Sequence, residues 1–270
     1  MDTQFSRYAI YFIADPSAPL HDRASAWLGW DCVGGRAMPH PAPADLANPD
    51  GVDIAAVTAT PRKYGFHGTI KPPMRLADGV NEEMFCDRAT ALAASIPPVA
   101  LADMKLSRLG SFLALVPSKP NHDFQNIASS FVTELDDLRA PMTEADLIRR
   151  RRAQLTDRQD VLLQRWGYPY VLDEFRFHMT LSGALDEATA GAAMAMLQDW
   201  LTPSLPEPMP VTRMAIAGEG KDGRFRVISW LPLNGQTTGC RWLLPYAGFP
   251  PAWCRHSPPA PHRQGSRDCQ

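Results

Sequence analysis

The chain has 270 residues, 45% apolar and 21% charged, with a formal net charge of −2 at pH 7. That is enough apolar material for a large core, and it excludes a disordered chain or a protein that coats nucleic acid with its whole surface. The 26 prolines, nearly twice the average usage of about 5%, exclude an all-helical bundle and predict long loops or an unfolded tail.

The cysteines, Cys32, Cys86, Cys240, Cys254 and Cys269, are odd in number and widely spaced, with no Cys-x-x-Cys. This fits a reducing cytoplasm better than a disulfide framework or a zinc site.

Tyr8 to Ala14 is β-rich and closes on Asp15-Pro16, which reads as a first strand. With no basic flank and only a strand's length, this run predicts neither a signal peptide nor a membrane span. Helical periodicity follows from Ala18 to Trp30. Residues 32–60 are rich in Pro, Ala, Gly and Asp and read as a long loop, a lid or a disordered segment.

Tyr64 to Ile70 is strand-like and is stopped by Pro72-Pro73. Asn81 caps a helix that runs to Ser95, with acids in its first turn. Val99 to Leu106 and Ser111 to Val116 are two strands joined near Gly110. Residues 121–166 are polar and helical, broken at Pro141, with Thr143 and Asp146 forming a capping box for the second part. Phe175 to Leu181 is a strand, and Asp186 to Leu201 an alanine-rich helix. Pro210 to Ala217 and Arg224 to Leu231 flank the turn Gly220-Lys221-Asp222-Gly223, a hairpin.

The two halves share an order of strand, helix and two antiparallel strands, at Tyr64–Val116 and Phe175–Leu231. This predicts an α+β fold of two pseudo-symmetric lobes whose antiparallel sheets flank a central cleft. The expected boundaries are 1–120 for lobe one, 121–167 for a helical connector, 168–234 for lobe two, and 235–270 for a disordered tail rich in Pro and Arg.

Two strings carry chemistry: Gly65-Phe66-His67-Gly68-Thr69-Ile70-Lys71 and Arg176-Phe177-His178-Met179-Thr180-Leu181-Ser182. Each is His-x-Thr plus an aliphatic residue inside an expected strand. Composition alone gives two or more His-x-Thr pairs in about one such sequence in twenty.

Side chains alternate faces along a strand, so Gly65, His67, Thr69 and Lys71 share one face, and Arg176, His178, Thr180 and Ser182 another. Phe66, Ile70, Phe177, Met179 and Leu181 then form apolar backings. Two imidazoles can act as base and acid near neutral pH, hydroxyls can hold phosphoryl oxygens, and a cation can stabilise the charge of a pentacovalent transition state. A lone strand histidine is more often structural, but the doubled motif reverses that weighting. No ligand cluster for a metal accompanies the motifs, and no cofactor is expected.

The two strings resemble the paired signature of the 2H phosphoesterase superfamily. Together with Arg7-Tyr8-Ala9-Ile10-Tyr11-Phe12, Trp27-Leu28-Gly29 and Tyr64-Gly65-Phe66, they are similar to an uncharacterised bacterial branch associated with phosphonate-utilisation gene clusters. The likeness covers about residues 7–233. It implies a bilobal fold with the motifs facing across a cleft, and catalytic roles for His67, Thr69, His178 and Thr180. The branch carries alanine where this chain has Gly68, a change expected to affect packing rather than catalysis.

The implied activity is metal-independent hydrolysis of a small cyclic or linear phosphoester, in phosphonate or ribosyl-phosphate metabolism. An RNA-end 2′,3′-cyclic phosphodiesterase or ligase-like enzyme and a non-catalytic phosphate- or RNA-binding module are the alternatives. Neither a membrane nor DNA is an expected partner. Substrate contacts are expected from Lys71, Arg176, Ser182, Tyr64 and Tyr168, with Arg176 ranked above Lys71. The run Arg149 to Arg152 could grip phosphate, but reads better as a solvated face paired with Glu144, Asp146, Asp157 and Asp160.

Overall fold

A computed structural model describes residues 5–48 and 50–235. From residue 236 on, the expected disordered tail lies outside the described residues.

Strand β1 (Tyr8–Phe12) is buried throughout. Helix α1 (Pro19–Leu28) begins with proline in its first turn and stops at Gly29, whose φ of 77° only glycine adopts cheaply. It therefore ends short of the expected Trp30. The expected loop 32–60 is partly structured. A short ribbon pairs β2 (Trp30–Asp31) with β3 (Arg36–Ala37), and two short helices follow, α2 (Ile54–Val57) and α3 (Ala59–Arg62). Arg62 pins this segment to α1 by donating to the Leu28 carbonyl at 3.0 Å and to the Thr58 hydroxyl at 2.9 Å.

Strand β4 (Gly68–Met74) starts later than expected and runs through Pro72-Pro73. Helix α4 (Glu82–Ala94) is capped by Asn81, which accepts from the Met84 amide. Then come β5 (Val99–Leu101), the hairpin β6 (Met104–Leu109) and β7 (Phe112–Pro117), and α5 (His122–Glu134). Helix α6 (Glu144–Arg151) has the Thr143–Asp146 capping box, and α7 (Asp157–Trp166) has a second one from Thr156 and Gln159. Strand β8 is only Met179–Thr180, much shorter than expected. It is followed by α8 (Glu187–Leu201), β9 (Met209–Val211), β10 (Arg213–Glu219) and β11 (Phe225–Pro232).

Seven strands form one antiparallel sheet in the order β11-β10-β1-β4-β8-β7-β6, with β5 and β9 paired separately. The α+β class and antiparallel sheets are as expected. The halves are interleaved rather than sequential: the late hairpin β10–β11 joins β1 and β4, and the early hairpin β6–β7 joins β8. A boundary near residue 167 therefore does not separate them.

Alternation along β1 explains the layering. Tyr8, Ile10 and Phe12 face a core built with α1, α4, α5 and α8. Ala9, Tyr11 and Ile13 face the other way, onto Ala215, Ala217 and Phe225. Helices thus cover one face, and the opposite face is left to form the cleft.

Candidate active site

The two His-x-Thr strings meet at the centre of the sheet. Gly68 of β4 is register partner to Met179 of β8 in an antiparallel pair. The flanking positions then set His67 beside Thr180, and Thr69 beside His178, all on the face away from the helices. These four residues line one cavity of about 400 Å³, with Arg7, Tyr11, Tyr64, Phe112, Arg150 and Tyr168 among its walls.

The two imidazoles are held alike. His67 Nδ1 lies 3.1 Å from the Gly65 carbonyl, and His178 Nδ1 lies 2.8 Å from the Arg176 carbonyl. A carbonyl only accepts, so each Nδ1 carries the proton and Nε2 is left for exchange. His67 Nε2 is 3.1 Å from the Thr69 hydroxyl, which donates to it.

The surroundings differ. His67 is buried, with the Tyr11 ring at 3.8 Å between centroids and Tyr64 at 5.7 Å. Burial first, and then the neighbouring His178, lower its pKa to about 4, so the ring is neutral near pH 7. His178 is only half-buried and has Phe112 at 5.7 Å.

Tyr64 and Tyr168 line the cavity. Ser182 borders it too, but its hydroxyl is occupied, accepting from the Leu113 amide at 2.9 Å and donating to the Gly183 carbonyl at 2.9 Å.

Two expected cations are elsewhere. Lys71 is 2% exposed and points to the helix side, where Nζ donates to the Val132 carbonyl at 2.9 Å and sits 3.8 Å from Asp136. The cause is a bulge. Tyr11 pairs with Thr69 but Ile10 pairs with Lys71, so one extra β4 residue reverses the alternation after Thr69. A second register shift before Met74 lets β4 accommodate Pro72-Pro73, which have no N–H to give.

Arg176 is exposed and does not line the cavity. It precedes the two-residue β8, after a 3₁₀ turn at Leu172–Glu174, so strand alternation does not extend back to it.

Gly68 gives space to Phe177: a Cβ there would stand 2.1 Å from Cε2 of that ring.

The cations at the cavity are Arg7 and Arg150. Arg7 is clamped by Glu219, with Nε 2.5 Å from Oε2 and Nη2 2.6 Å from Oε1. In the arginine run, Arg149 and Arg151 pair with Asp146 and Asp160, as a solvated face requires. Arg150 is the exception. It turns to the cavity with its guanidinium 4.7 Å above the Tyr168 ring. Consecutive residues on a helix differ by about 100° in direction, so four in a row cannot all face solvent on a packed helix. That was the available signal. Tyr11, with its buried hydroxyl unpartnered among the described residues, left none beyond its place in β1.

The chain is 37% identical over 252 residues to "Ribose 1,5-bisphosphate phosphokinase PhnN" of Janthinobacterium sp. (strain Marseille), covering 90% of this chain and 54% of that protein. It is 30% identical over 233 residues to the protein of the same name from Laribacter hongkongensis (strain HLHK9), covering 86% and 53%. The chain thus spans about half the length of these curated relatives. Among solved structures, E. coli LigT complexed with NADP+ superposes with a TM-score of 0.41 at 14% identity, covering 87% of this chain and 100% of LigT, a likeness that carries no argument about the site. The family described as "Protein of unknown function (DUF1045)" matches residues 69–226. That match spans more than half of the chain, so the chain belongs to the DUF1045 family, in keeping with the uncharacterised family its motifs resemble.

Proposed function

We propose that this chain is a phosphodiesterase that hydrolyses a small cyclic phosphoester, with His67 and His178 exchanging protons and Thr69 and Thr180 holding phosphoryl oxygens. The observation that carries the reading is the pairing of two His-x-Thr motifs on adjacent antiparallel strands, both opening into one cavity.

His67 suits the role of base. Its ring is neutral, Nδ1–H is fixed by the Gly65 carbonyl, and Nε2 offers a lone pair. The Thr69 hydroxyl covers that lone pair; rotating onto a phosphoryl oxygen, it would release Nε2 to take a proton from water. The water oxygen attacks phosphorus as one P–O ester bond breaks. The leaving alkoxide takes a proton from Nε2 of a protonated His178. The product is a phosphomonoester, and a proton passed from His67 to His178 through solvent resets the pair.

Among the described residues no three His, Cys, Asp or Glu side chains gather as a metal site, and the mechanism uses none. The substrate is proposed to be a ribosyl phosphate. The relatives are named for ribose 1,5-bisphosphate, this chain spans half their length, and it lacks the Gly-x-x-x-x-Gly-Lys-Ser/Thr loop that cradles phosphates in many phosphokinases.

The test is turnover of a panel of 1,2- and 2′,3′-cyclic phosphates in EDTA by wild type, His67→Ala and His178→Ala. Each variant should lose about 10²–10⁴-fold. Near wild-type rates in either variant, or activity that returns only with a divalent ion, would sink the mechanism.

A further inference from the structure

The cavity has a second anionic demand that the His-x-Thr pairs do not explain. A small annex of about 50 Å³ shares Arg7, Pro73 and Arg150 with it as lining residues. Arg75, Arg139, Arg149 and Asp146 also border the annex.

The acids nearby are already engaged. Glu219 clamps Arg7, Asp146 is shared by Arg75 at 3.1 Å and Arg149 at 2.8 Å, and Asp136 holds Arg139 at 2.8 Å. Arg150 has no carboxylate partner among the described residues. Its Nε is buried and without a hydrogen bond, and the Tyr168 ring supports its guanidinium from one side.

A buried guanidinium N–H left unpaired is costly, and an arginine stacked on an aromatic ring presents its fork edge-on to a planar or tetrahedral anion. Nε itself is enclosed, but the Arg150 side chain lines both the cavity and the annex, so it brings a positive charge without a carboxylate partner to the cavity lining.

We propose that Arg150, seated on Tyr168, is a subsite for a second phosphoryl group, and that the substrate is a small sugar cyclic phosphate carrying a phosphomonoester elsewhere on the sugar. This rests on the phosphodiesterase reading for which phosphate is cleaved, but the anion subsite itself does not. The compact cavity favours such a doubly phosphorylated sugar over a nucleic-acid end, which would have to bring a base as well.

The experiment compares a ribose cyclic phosphate with and without a second phosphate on its 5-hydroxyl. Wild type should prefer the doubly phosphorylated compound by about 10- to 100-fold in kcat/KM, the strength of one or two charged hydrogen bonds. Arg150→Met should bring that ratio close to one, and Arg150→Lys, which keeps the charge but not the fork, should leave it in between. An unchanged ratio in Arg150→Met, or no preference in wild type, overturns the proposal. A 2′,3′-cyclic dinucleotide that outcompetes both sugars overturns the assignment of substrate class.

Calorimetry with ribose 5-phosphate separates the two readings. Tenfold weaker binding to Arg150→Met, in a protein that hydrolyses nothing on the panel, supports the subsite while the phosphodiesterase reading fails. Equal binding to wild type and to a folded Arg150→Met refutes the subsite whatever the turnover.

Discussion

Lys71→Met should change how stability depends on pH while leaving the site intact. Lys71 is almost fully enclosed, and burial, only partly offset by Asp136, lowers its pKa from 10.5 to about 8. Below pH 8 the amine is protonated in both states, and the folded protein bears the cost of holding that charge. Between pH 8 and 10.5 the unfolded chain binds more protons, so this residue's contribution makes stability rise with pH. Above 10.5 both forms are neutral and the dependence ends.

A difference of 2.5 units at about 1.4 kcal/mol each makes the swing about 3 kcal/mol. Methionine fills similar space without titrating, though it leaves the Val132 carbonyl without its donor. The absolute stabilities at pH 7 therefore mix several effects, but tyrosines and cysteines titrating elsewhere cancel in the difference between the two proteins.

Urea unfolding of both at intervals from pH 7 to 10.5 should show the variant's stability relative to wild type falling by about 3 kcal/mol across that range. A difference that stays flat would mean Lys71 titrates normally and is not held as described. A large loss of kcat/KM in Lys71→Met at pH 7 would return this lysine to the cleft.

Two further substitutions probe the same sheet. Tyr11→Phe removes a buried hydroxyl with no partner among the described residues; it should raise stability by about 1 kcal/mol, and a loss of stability on thermal unfolding would show that the hydroxyl is bonded in the folded protein. Gly68→Ala should destabilise by about 1–3 kcal/mol, because its Cβ collides with Phe177, whose ring is held by Phe124 at 4.6 Å. Gly68→Ala/Phe177→Leu should recover most of that loss, and an equally unstable double variant would put the strain elsewhere.

Strand periodicity read from the sequence goes as far as the hydrogen-bonded ladder does. It places His67 with Thr69 and His178 with Thr180 because those short stretches are extended and paired across Gly68 and Met179. It misplaces Lys71 because the bulge opposite Ile10 and Tyr11 is a property of how β1 and β4 pair, two segments more than fifty residues apart. It misplaces Arg176 because β8 is too short to impose its alternation upstream. The interleaving of the two halves was illegible for the same reason, since it depends on β10 choosing β1. Caps, by contrast, are local, and Asn81 and the Thr143–Asp146 box are found where the sequence puts them.

The symmetry of the motifs leaves open which histidine is the base; the packing around them breaks it. Each Nδ1 is tied to the carbonyl two residues earlier, so the tautomers match and cannot decide. What differs is the cleft-side cover. β4 lies beside β1, and β1 projects Tyr11 over His67; Tyr64 also packs on His67, and Phe225 from β11 backs both tyrosines. β8 instead lies beside β7, whose Phe112 only flanks His178. The enclosed imidazole is held neutral, while the other faces the cavity with less cover. The direction of proton flow proposed here, into His67 and out of His178, follows from which neighbouring strand carries the tyrosine.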